Sequence, residues 1–346
     1  MPDSRGVDRA RPDGVPMARC LVLLNPRAGT LKDLAASSGS LPPAERVRQA
    51  FSAAGKDVDV RMVPPRDLGG VLAEIGRGDS HDEIIVGGGD GSLSRSLGRL
   101  LSSGKTFGVL PLGTMNLLAR DLGVPQELDD AIAALARAKP AEIDLASVNG
   151  RPFHSISGLG FFAQMARARE ATRGFKGLGR YAAFSLAALR AFFRSGRSRY
   201  QLVIDGAPIT VEATAVLVTN NALGDGAWRR PRLDGGELEV IVAHAGTVRE
   251  RLRLGVDVVA GGWRSNPLVE SFRARHVKVE KSLRRRVWLA TDGELTRENT
   301  PIIFETMPKA ARMLKPDVPA SAIGETLASG AVGAEHPAAE PRPSAV

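Results

Sequence analysis

From Arg19 to about Ala138, short apolar runs take turns with stretches whose apolar positions recur every three or four residues. Cys20-Leu21-Val22-Leu23-Leu24 is such a run and stops at the polar turn Asn25-Pro26-Arg27-Ala28-Gly29-Thr30, which predicts a buried strand. Val47, Ala50 and Phe51 share one face of a predicted helix from Pro43 to Ala54, and Gly55 ends it before a strand over Val58–Val63. A helix over Leu68–Ile75 precedes Ile84-Ile85-Val86, a run that ends at three glycines, Gly87-Gly88-Gly89. Asp90-Gly91-Ser92 come next, and Leu93, Leu97, Leu100 and Leu101 then recur at helical spacing, so the order is strand, tight loop, helix. Phe107-Gly108-Val109-Leu110-Pro111 predicts one more strand, and Leu112-Gly113-Thr114-Met115-Asn116 opens a helix through Leu118 and Leu122. Strands alternating with helices predict a parallel sheet covered on both faces. All three polar turns fall where strands end, the edge at which open α/β sheets bind ligands.

Past Ala141 the pattern changes to hairpins. Ile143–Val148, Asn149-Gly150 and Phe153–Ile156 predict one around an Asn-Gly turn; Leu202–Ile204, Asp205-Gly206 and Ile209–Val218 predict a second. Further strands are predicted at Leu238–Val242, Val269–Val279, Val287–Thr291 and Ile302–Thr306. Two helices interrupt this half, and Tyr181–Arg194 is the more informative, with Leu186, Leu189, Phe192 and Phe193 at helical spacing. The fold class read from the pattern is α/β in two parts: an α/β domain over 19–140 and an antiparallel, β-rich domain with helical insertions over 141–316. Residues 1–18 and 317–346 are expected to be a disordered leader and tail, with Met17 a candidate start.

Composition narrows the picture. The 346 residues, 43% of them hydrophobic, exceed one ordinary domain and suffice for two cores. Lys and Arg number 47 against 38 Asp and Glu, and the net charge of +9 favours anionic partners without choosing among nucleotide, nucleic acid and membrane surface. A single cysteine, Cys20, excludes an intramolecular disulfide and a thiolate-rich zinc site and favours a reducing, cytoplasmic setting. No stretch reaches the roughly 18 uninterrupted apolar residues of a membrane span, and the polar segment from Met1 to Arg19 has no apolar signal core. A soluble or peripheral protein is expected.

The candidate chemistry gathers at the glycine loop. Residues without Cβ let a polyanion approach the backbone, and the helix after them adds its positive end. A carboxylate such as Asp90 beside a phosphate is repulsive unless a metal ion or a transferable proton lies between, so the loop points to nucleotide phosphates with Mg²⁺. A plain glycine turn with Asp90 capping the helix reads equally well from this loop alone. Gly98–Thr106 looks like a Walker A loop, but five residues separate its glycines and it leaves a helix for a strand, so it reads as a helix C-cap. Gly158-Leu159-Gly160-Phe161-Phe162-Ala163 fits a loose dinucleotide fingerprint, yet it comes after a hairpin and reads as a turn. The five histidines, His81, His154, His244, His276 and His336, show no metal-ligand spacing and read as surface or core residues.

Four stretches in order, Asn25-Pro26-Arg27-Ala28-Gly29, Gly87-Gly88-Gly89-Asp90-Gly91-Ser92, Pro111 through Arg120, and Asp292-Gly293-Glu294, resemble the diacylglycerol kinase-like lipid kinases. That family includes sphingosine and ceramide kinases and is distantly related to NAD kinases; the resemblance covers about Arg19 to Pro316. It implies a three-layer α/β nucleotide-binding domain followed by a β-rich, sandwich-like domain, with the active site in the cleft between them. It also implies an ATP- and Mg²⁺-dependent kinase of a lipid hydroxyl, diacylglycerol or a related glycerolipid. Carried onto this sequence, it implies that Asn25, Pro26, Gly29 and Thr30 hold the nucleotide, that Gly87, Gly88, Gly89, Gly91 and Ser92 cradle its phosphates, and that Gly113, Thr114 and Asn116 line the same cleft. It implies Asp292 as general base, Asp90 as a catalytic group acting on the Mg²⁺ network or the acceptor hydroxyl, and Glu294 as an aid to metal or nucleotide binding. Phosphoryl transfer needs charge neutralisation and positioning more than covalent chemistry, which suits such a set. By itself Asp292-Gly293 reads as a hairpin turn after Val287–Thr291.

Two departures from the family pattern matter. Asp234-Gly235-Gly236 stands where the family often has Asp-Asp-Gly, in which an Asp holds a structural Mg²⁺, so the metal role of Asp234 is in question. Gln164, Met165 and Ala166 offer no acid where sphingosine kinases use a nearby one for the amino alcohol, which disfavours sphingoid bases. Two alternatives stand beside the lipid kinase: a kinase of a soluble acceptor such as NAD, although Asn220-Asn221 takes the place of the NAD kinases' Asn-Glu motif, and a non-enzymatic nucleotide- or lipid-binding regulator, against which Asp90 and Asp292 argue. The expected partners are a lipid substrate and an anionic membrane surface, with no nucleic acid and a homodimer left open. The expected place is the cytoplasm, peripheral at the inner face of the membrane. Membrane contact is expected between Arg167 and Arg199, where Arg167, Arg169, Arg173, Lys176 and Arg180 precede the apolar-faced helix and Arg190, Arg194, Arg197 and Arg199 flank or follow it. The alternative is that Leu186, Leu189 and Phe193 pack on the β domain.

Overall fold

The computed structural model describes residues 18–28, 41–75, 80–171, 186, 190, 192, 196–224, 229–282 and 285–317. The leader, the tail beyond residue 317, Gly29, Thr30 and most of the helix expected over Tyr181–Arg194 lie outside the described residues. The first half is built as its pattern predicts. Strands β1 (Arg19–Leu24), β2 (Asp57–Met62), β3 (Glu83–Gly88) and β4 (Thr106–Pro111) pair in parallel in the order β2-β1-β3-β4. Burial on both faces explains why β1, β3 and β4 read as continuous apolar runs rather than alternating ones. Around them lie α1 (Pro43–Ala53), α2 (Leu68–Ile75), α3 (Asp90–Ser102), α4 (Leu117–Asp121) and α5 (Leu128–Arg137). Their periodic residues turn inward, Val47 and Phe51 from α1 and Leu93, Leu97 and Leu100 from α3, into one core with the sheet. The stretch resembling a Walker A loop is the end of α3: the helix stops at Ser102, Gly104 takes φ 64°, and β4 begins at Thr106.

The second half contains β5 (Lys139–Val148), β6 (Arg151–Phe153), β7 (Ile156–Gly160), α6 (Phe161–Ala171), β8 (Ser198–Ile204), β9 (Ala207–Ala213), β10 (Ala215–Asn220), β11 (Leu238–Ala243), α7 (Val248–Ala260), β12 (Val269–Ala274), β13 (His276–Lys281), β14 (Arg286–Thr291), β15 (Glu294–Asn299) and β16 (Ile302–Lys315). Among the described residues these strands divide between two sheets. One continues the parallel sheet to ten strands along β4-β16-β13-β8-β9, with β5 attached to β16 and β6 to β5; the other is an antiparallel sheet of six in the order β12-β11-β10-β7-β14-β15. Their facing sides form a sandwich, Leu159, Val216, Val218, Val240 and Leu289 packing with Tyr200, Leu202, Val277, Val279 and Phe304.

Several expected elements prove to be one run in sequence and two strands in space. Ile209–Val218 breaks at Thr214, whose N–H donates to Ala243 O and whose hydroxyl donates to Ala245 O, so β9 belongs to one sheet and β10 to the other. Val269–Val279 breaks at Arg275, whose N–H donates to the Asp205 carboxylate, and Phe153–Ile156 divides between β6 and β7. Residues 158–163 are not a turn: β7 runs through Gly160 at φ 70° straight into α6, and a Cβ there would collide with the Thr214 carbonyl. Ile302–Thr306 is only the start of β16, a strand of 14 residues that pairs with β13 and β5 and, at Met313 opposite Phe107, with β4. The change of pattern at Ala141 is therefore a change in helix content rather than a gap between sheets, because β16 carries the ten-stranded sheet across it. The strand bends at an irregularity between Met307 and Ala311, where buried Asp144 accepts from Lys309 N–H (2.8 Å) with one oxygen and from Gly236 N–H (2.6 Å) with the other.

Candidate active site

The carboxyl ends of β1, β3 and β4 place three turns side by side. Asn25 N–H donates to Gly87 O (3.0 Å) and Asn25 Oδ1 accepts from Arg27 N–H (2.9 Å), which ties the first turn to the strand carrying the second. Gly89 is extended (φ −92°, ψ 178°) and Asp90 is the first residue of α3. Gly113 backs onto Gly89 so closely that a Cβ on it would lie 2.5 Å from Gly89 Cα, a contact only two bare backbones can make. Asn116, left-handed at φ 48° and 6% exposed, accepts from Gly113 N–H (2.9 Å) and donates to Gly113 O (2.9 Å) and Gln126 Oε1 (3.2 Å). Its amide shapes the third turn, and Thr114 and Met115 are the exposed side chains of that turn.

Asp90 joins the turns. Its Oδ1 accepts from Leu117 N–H (2.8 Å), the first residue of α4, and among the described residues Oδ2 accepts nothing. The capping role read from the sequence exists, but for α4 rather than for α3. Ser92 N–H donates to Gly89 O (2.9 Å), which leaves the Asp90 and Gly91 amides and the positive end of the α3 dipole at the glycine loop, an arrangement that suits phosphate oxygens.

The turn at residues 292–294 joins β14 to β15, with Asp292 at φ 48° and Gly293 at φ 80°. Asp292 is 2% exposed, and its carboxylate accepts from the N–H groups of His154 (2.8 Å), Ser155 (2.9 Å) and Ile156 (3.1 Å). His154 Nε2 lies 3.4 Å from Oδ2. Both oxygens here face backbone amides, and these contacts fasten the β14–β15 turn to the β6–β7 connection. Glu294 is linked to the glycine loop through Arg95 of α3, which lies 2.8 Å from its Oε1 and also donates to Gly91 O (3.0 Å).

The structure adds a buried lock with no local signature in the sequence. Arg230, 1% exposed, donates from Nε (2.8 Å) and Nη2 (2.6 Å) to Asp121 Oδ2 and from its backbone N–H to Asp121 Oδ1 (2.9 Å). Its Nη1 donates to Asn220 O (3.0 Å) and to His154 O. Asp121 ends α4, the helix that Asp90 caps, so the turn at 113–116 is bolted to the β-rich half. Asn220 also donates to Asp144 O (2.9 Å), and Asn221 Oδ1 accepts from Gly235 N–H (2.9 Å), so the Asn220-Asn221 pair is bound up in backbone contacts.

Asp234 does not join the site. It is exposed and paired with Arg232 (3.2 Å), and among the described residues no three His, Cys, Asp or Glu side chains gather into a group that could hold a metal. The single open oxygen of Asp90 does fit Mg²⁺ arriving with a nucleotide, because that ion takes one or two carboxylates and completes its shell with phosphates and water. Cys20 is buried, and burial, with Glu83 adding to it, pushes its thiol above the ordinary value, as an inert core cysteine requires. No helix among the described residues is long and apolar enough to cross a membrane.

Comparison with known proteins agrees with this architecture. The family model of the diacylglycerol kinase catalytic domain matches residues 19–148, and that of the YegS C-terminal NAD kinase beta sandwich-like domain matches residues 157–315. Diacylglycerol kinase of Bacillus subtilis is 26% identical over 80% of this chain and 90% of its own length. A protein of Synechocystis sp. is 27% identical over 70% of this chain, which spans 56% of that relative. The crystal structure of a diacylglycerol kinase from Bacillus anthracis superposes with a TM-score of 0.65 at 21% identity, covering 86% of this chain and 97% of that one, and shows the same fold. The two models take in both sides of the site and adjoin at the connection that Asp292 fastens, and the chain belongs to the diacylglycerol kinase-like lipid kinase family.

Proposed function

We propose that this kinase transfers the γ-phosphate of ATP, taken as its Mg²⁺ complex, to the hydroxyl of a diacylglycerol or related glycerolipid. The observation that carries the reading is the convergence of Asp90, the bare backbones of Gly89 and Gly113, and Glu294 through Arg95 on the start of α3. The phosphates would lie along residues 87–92 against the helix N-terminus, flanked by Asn25, Pro26 and Thr114, with Gly29 and Thr30 keeping the nucleotide role the resemblance implies. Mg²⁺ supplies neutralisation of the charge on the transferring phosphate. Asp90 Oδ2 would orient that ion or accept the proton of the acceptor hydroxyl, whose oxygen attacks the γ-phosphorus as ADP leaves. Asp292 is a positioning residue that holds Glu294 at the loop. The absence of an acid among Gln164, Met165 and Ala166 on α6 supports a neutral glycerol hydroxyl over a cationic sphingoid base. A bilayer-resident acceptor and a net charge of +9 support peripheral work at the inner membrane face.

Radiolabelled ATP with mixed lipids, resolved by thin-layer chromatography, tests the reading. Label in a glycerolipid phosphate, dependent on Mg²⁺, is expected. Label on NAD alone, or on no acceptor, contradicts it, and a higher kcat/KM for sphingosine than for diacylglycerol overturns the acceptor assignment.

A further inference from the structure

The helix expected to meet the membrane lies mostly outside the described residues, but α7 (Val248–Ala260) carries a surface of its own. Val248, Leu252 and Val256 are 37%, 56% and 65% exposed, and their four-residue spacing puts them in one stripe. Arg249 and Arg253, both exposed, follow two of them by one position and form a basic edge beside the stripe. The two acids of the helix are turned to other work. Glu250 accepts from Gly246 N–H (2.7 Å) and Thr247 N–H (2.9 Å) in a capping box, and Asp257 accepts from Asn266 Nδ2. The opposite side of α7 is anchored: Val258 packs on the cluster of Ile156, Leu217, Ile241 and Trp263, and Arg251, 7% exposed, donates to Gly246 O (2.6 Å).

Phe162 of α6 packs on the same cluster, so α6 and α7 share the outer face of the six-stranded sheet. Trp288 belongs to that face, since its neighbours Val287 and Leu289 point into the sandwich core. It is 37% exposed and lies between the guanidinium groups of Arg167 (5.3 Å) and Arg297 (5.7 Å). An open aliphatic stripe, a basic edge and an aromatic ring between two cations are what the headgroup boundary of an anionic bilayer accepts. A second copy of the chain fits poorly, because a twofold α7 contact would gather four arginines with no exposed carboxylate on the helix to offset them.

We propose that α7 is an interfacial helix, with Val248, Leu252 and Val256 seated at the headgroup boundary of an anionic bilayer and Arg249 and Arg253 on lipid phosphates. The inference rests on the lipid-acceptor reading and names the surface that presents the site to its substrate. Full-length protein is sedimented at low salt with phosphatidylcholine vesicles, with and without phosphatidylglycerol, as wild type, Leu252→Ser/Val256→Ser and Arg249→Gln/Arg253→Gln. Each double variant is expected to lose at least about tenfold in partitioning to the anionic vesicles, at unchanged melting temperature and unchanged turnover on short-chain diacylglycerol dispersed in water. Variants that sediment like the wild type, or a wild type that binds neutral vesicles equally well, overturn the proposal. So does a variant that changes from dimer to monomer in sedimentation velocity while keeping its vesicle binding, which would make the stripe a self-contact. Turnover on the dispersed acceptor separates the two readings: its absence in the wild type counts against the lipid kinase, whereas vesicle binding alone decides α7.

Discussion

Asp90-Gly91 and Asp292-Gly293 are the same dipeptide at the ends of two strands, and the fold uses them in opposite ways. Asp90 follows a parallel strand and opens a helix, so its carboxylate sits at the carboxyl end of the sheet with one oxygen on Leu117 N–H and the other without a partner among the described residues. Asp292 ends an antiparallel strand whose chain doubles back as β15, and its carboxylate is drawn beneath the turn onto three amides of the β6–β7 connection. A helix starts at the first Asp-Gly and a strand follows the second, and the two carboxylates meet one and three backbone amides respectively. The open region leaves a carboxylate oxygen without a partner among the described residues; the closed one, with Asp121 and Arg230 beside it, ties the two halves together.

That contrast is sharpened most by removing a buried charge. Arg230→Met leaves Asp121 bare where it is fully enclosed, and a loss of about 3–5 kcal/mol in unfolding free energy is expected in urea titration; a wild-type midpoint would show that the closed region is not locked by charge. Asp90→Asn is expected to lower turnover at least about a hundredfold while the melting temperature holds, because the Asn carbonyl still accepts from Leu117 N–H. Retained turnover would remove Asp90 from the chemistry. Gly113→Ala drives a methyl group against Gly89 Cα, and a cost of about 1–3 kcal/mol in stability, together with a raised KM for ATP, is expected; an unaltered KM would mean that the two turns need not touch. Glu294→Gln breaks only the half-exposed pair with Arg95, so a stability change under about 1 kcal/mol is expected in the same titrations.

Much of the open region was legible in the sequence, and little of the closed one. Buried parallel strands are continuous apolar runs, so β1, β3 and β4 show themselves, and the glycines that end β3 mark where the neighbouring chain leaves no room for a Cβ, Gly87 against Leu24 and Gly88 against Ser92. The breaks at Thr214 and Arg275 are invisible because residues on either side alternate equally well; only pairing partners reveal that the strand has changed sheets. The length of β16 is hidden for a related reason, since its later part is buried by β5 and β4 from the other end of the chain. Asp121 and Arg230 stand 109 residues apart and no local pattern joins them. Val248, Leu252 and Val256 do show helical spacing in the sequence, yet the same spacing marks core faces elsewhere, and only packing shows that this stripe points outward.

The opposite employment of the two aspartates is tested most directly by Asp292→Asn, measured beside Asp90→Asn for both urea midpoint and turnover. An amide nitrogen in place of a carboxylate oxygen sets a donor against backbone donors, so Asp292→Asn is expected to lose about 1–3 kcal/mol of stability and less than about tenfold in turnover while folded, the reverse of the Asp90→Asn pattern. An Asp292→Asn protein with the wild-type midpoint and a hundredfold loss of turnover would contradict the account, making Asp292 the base and its three amide contacts incidental to the fold.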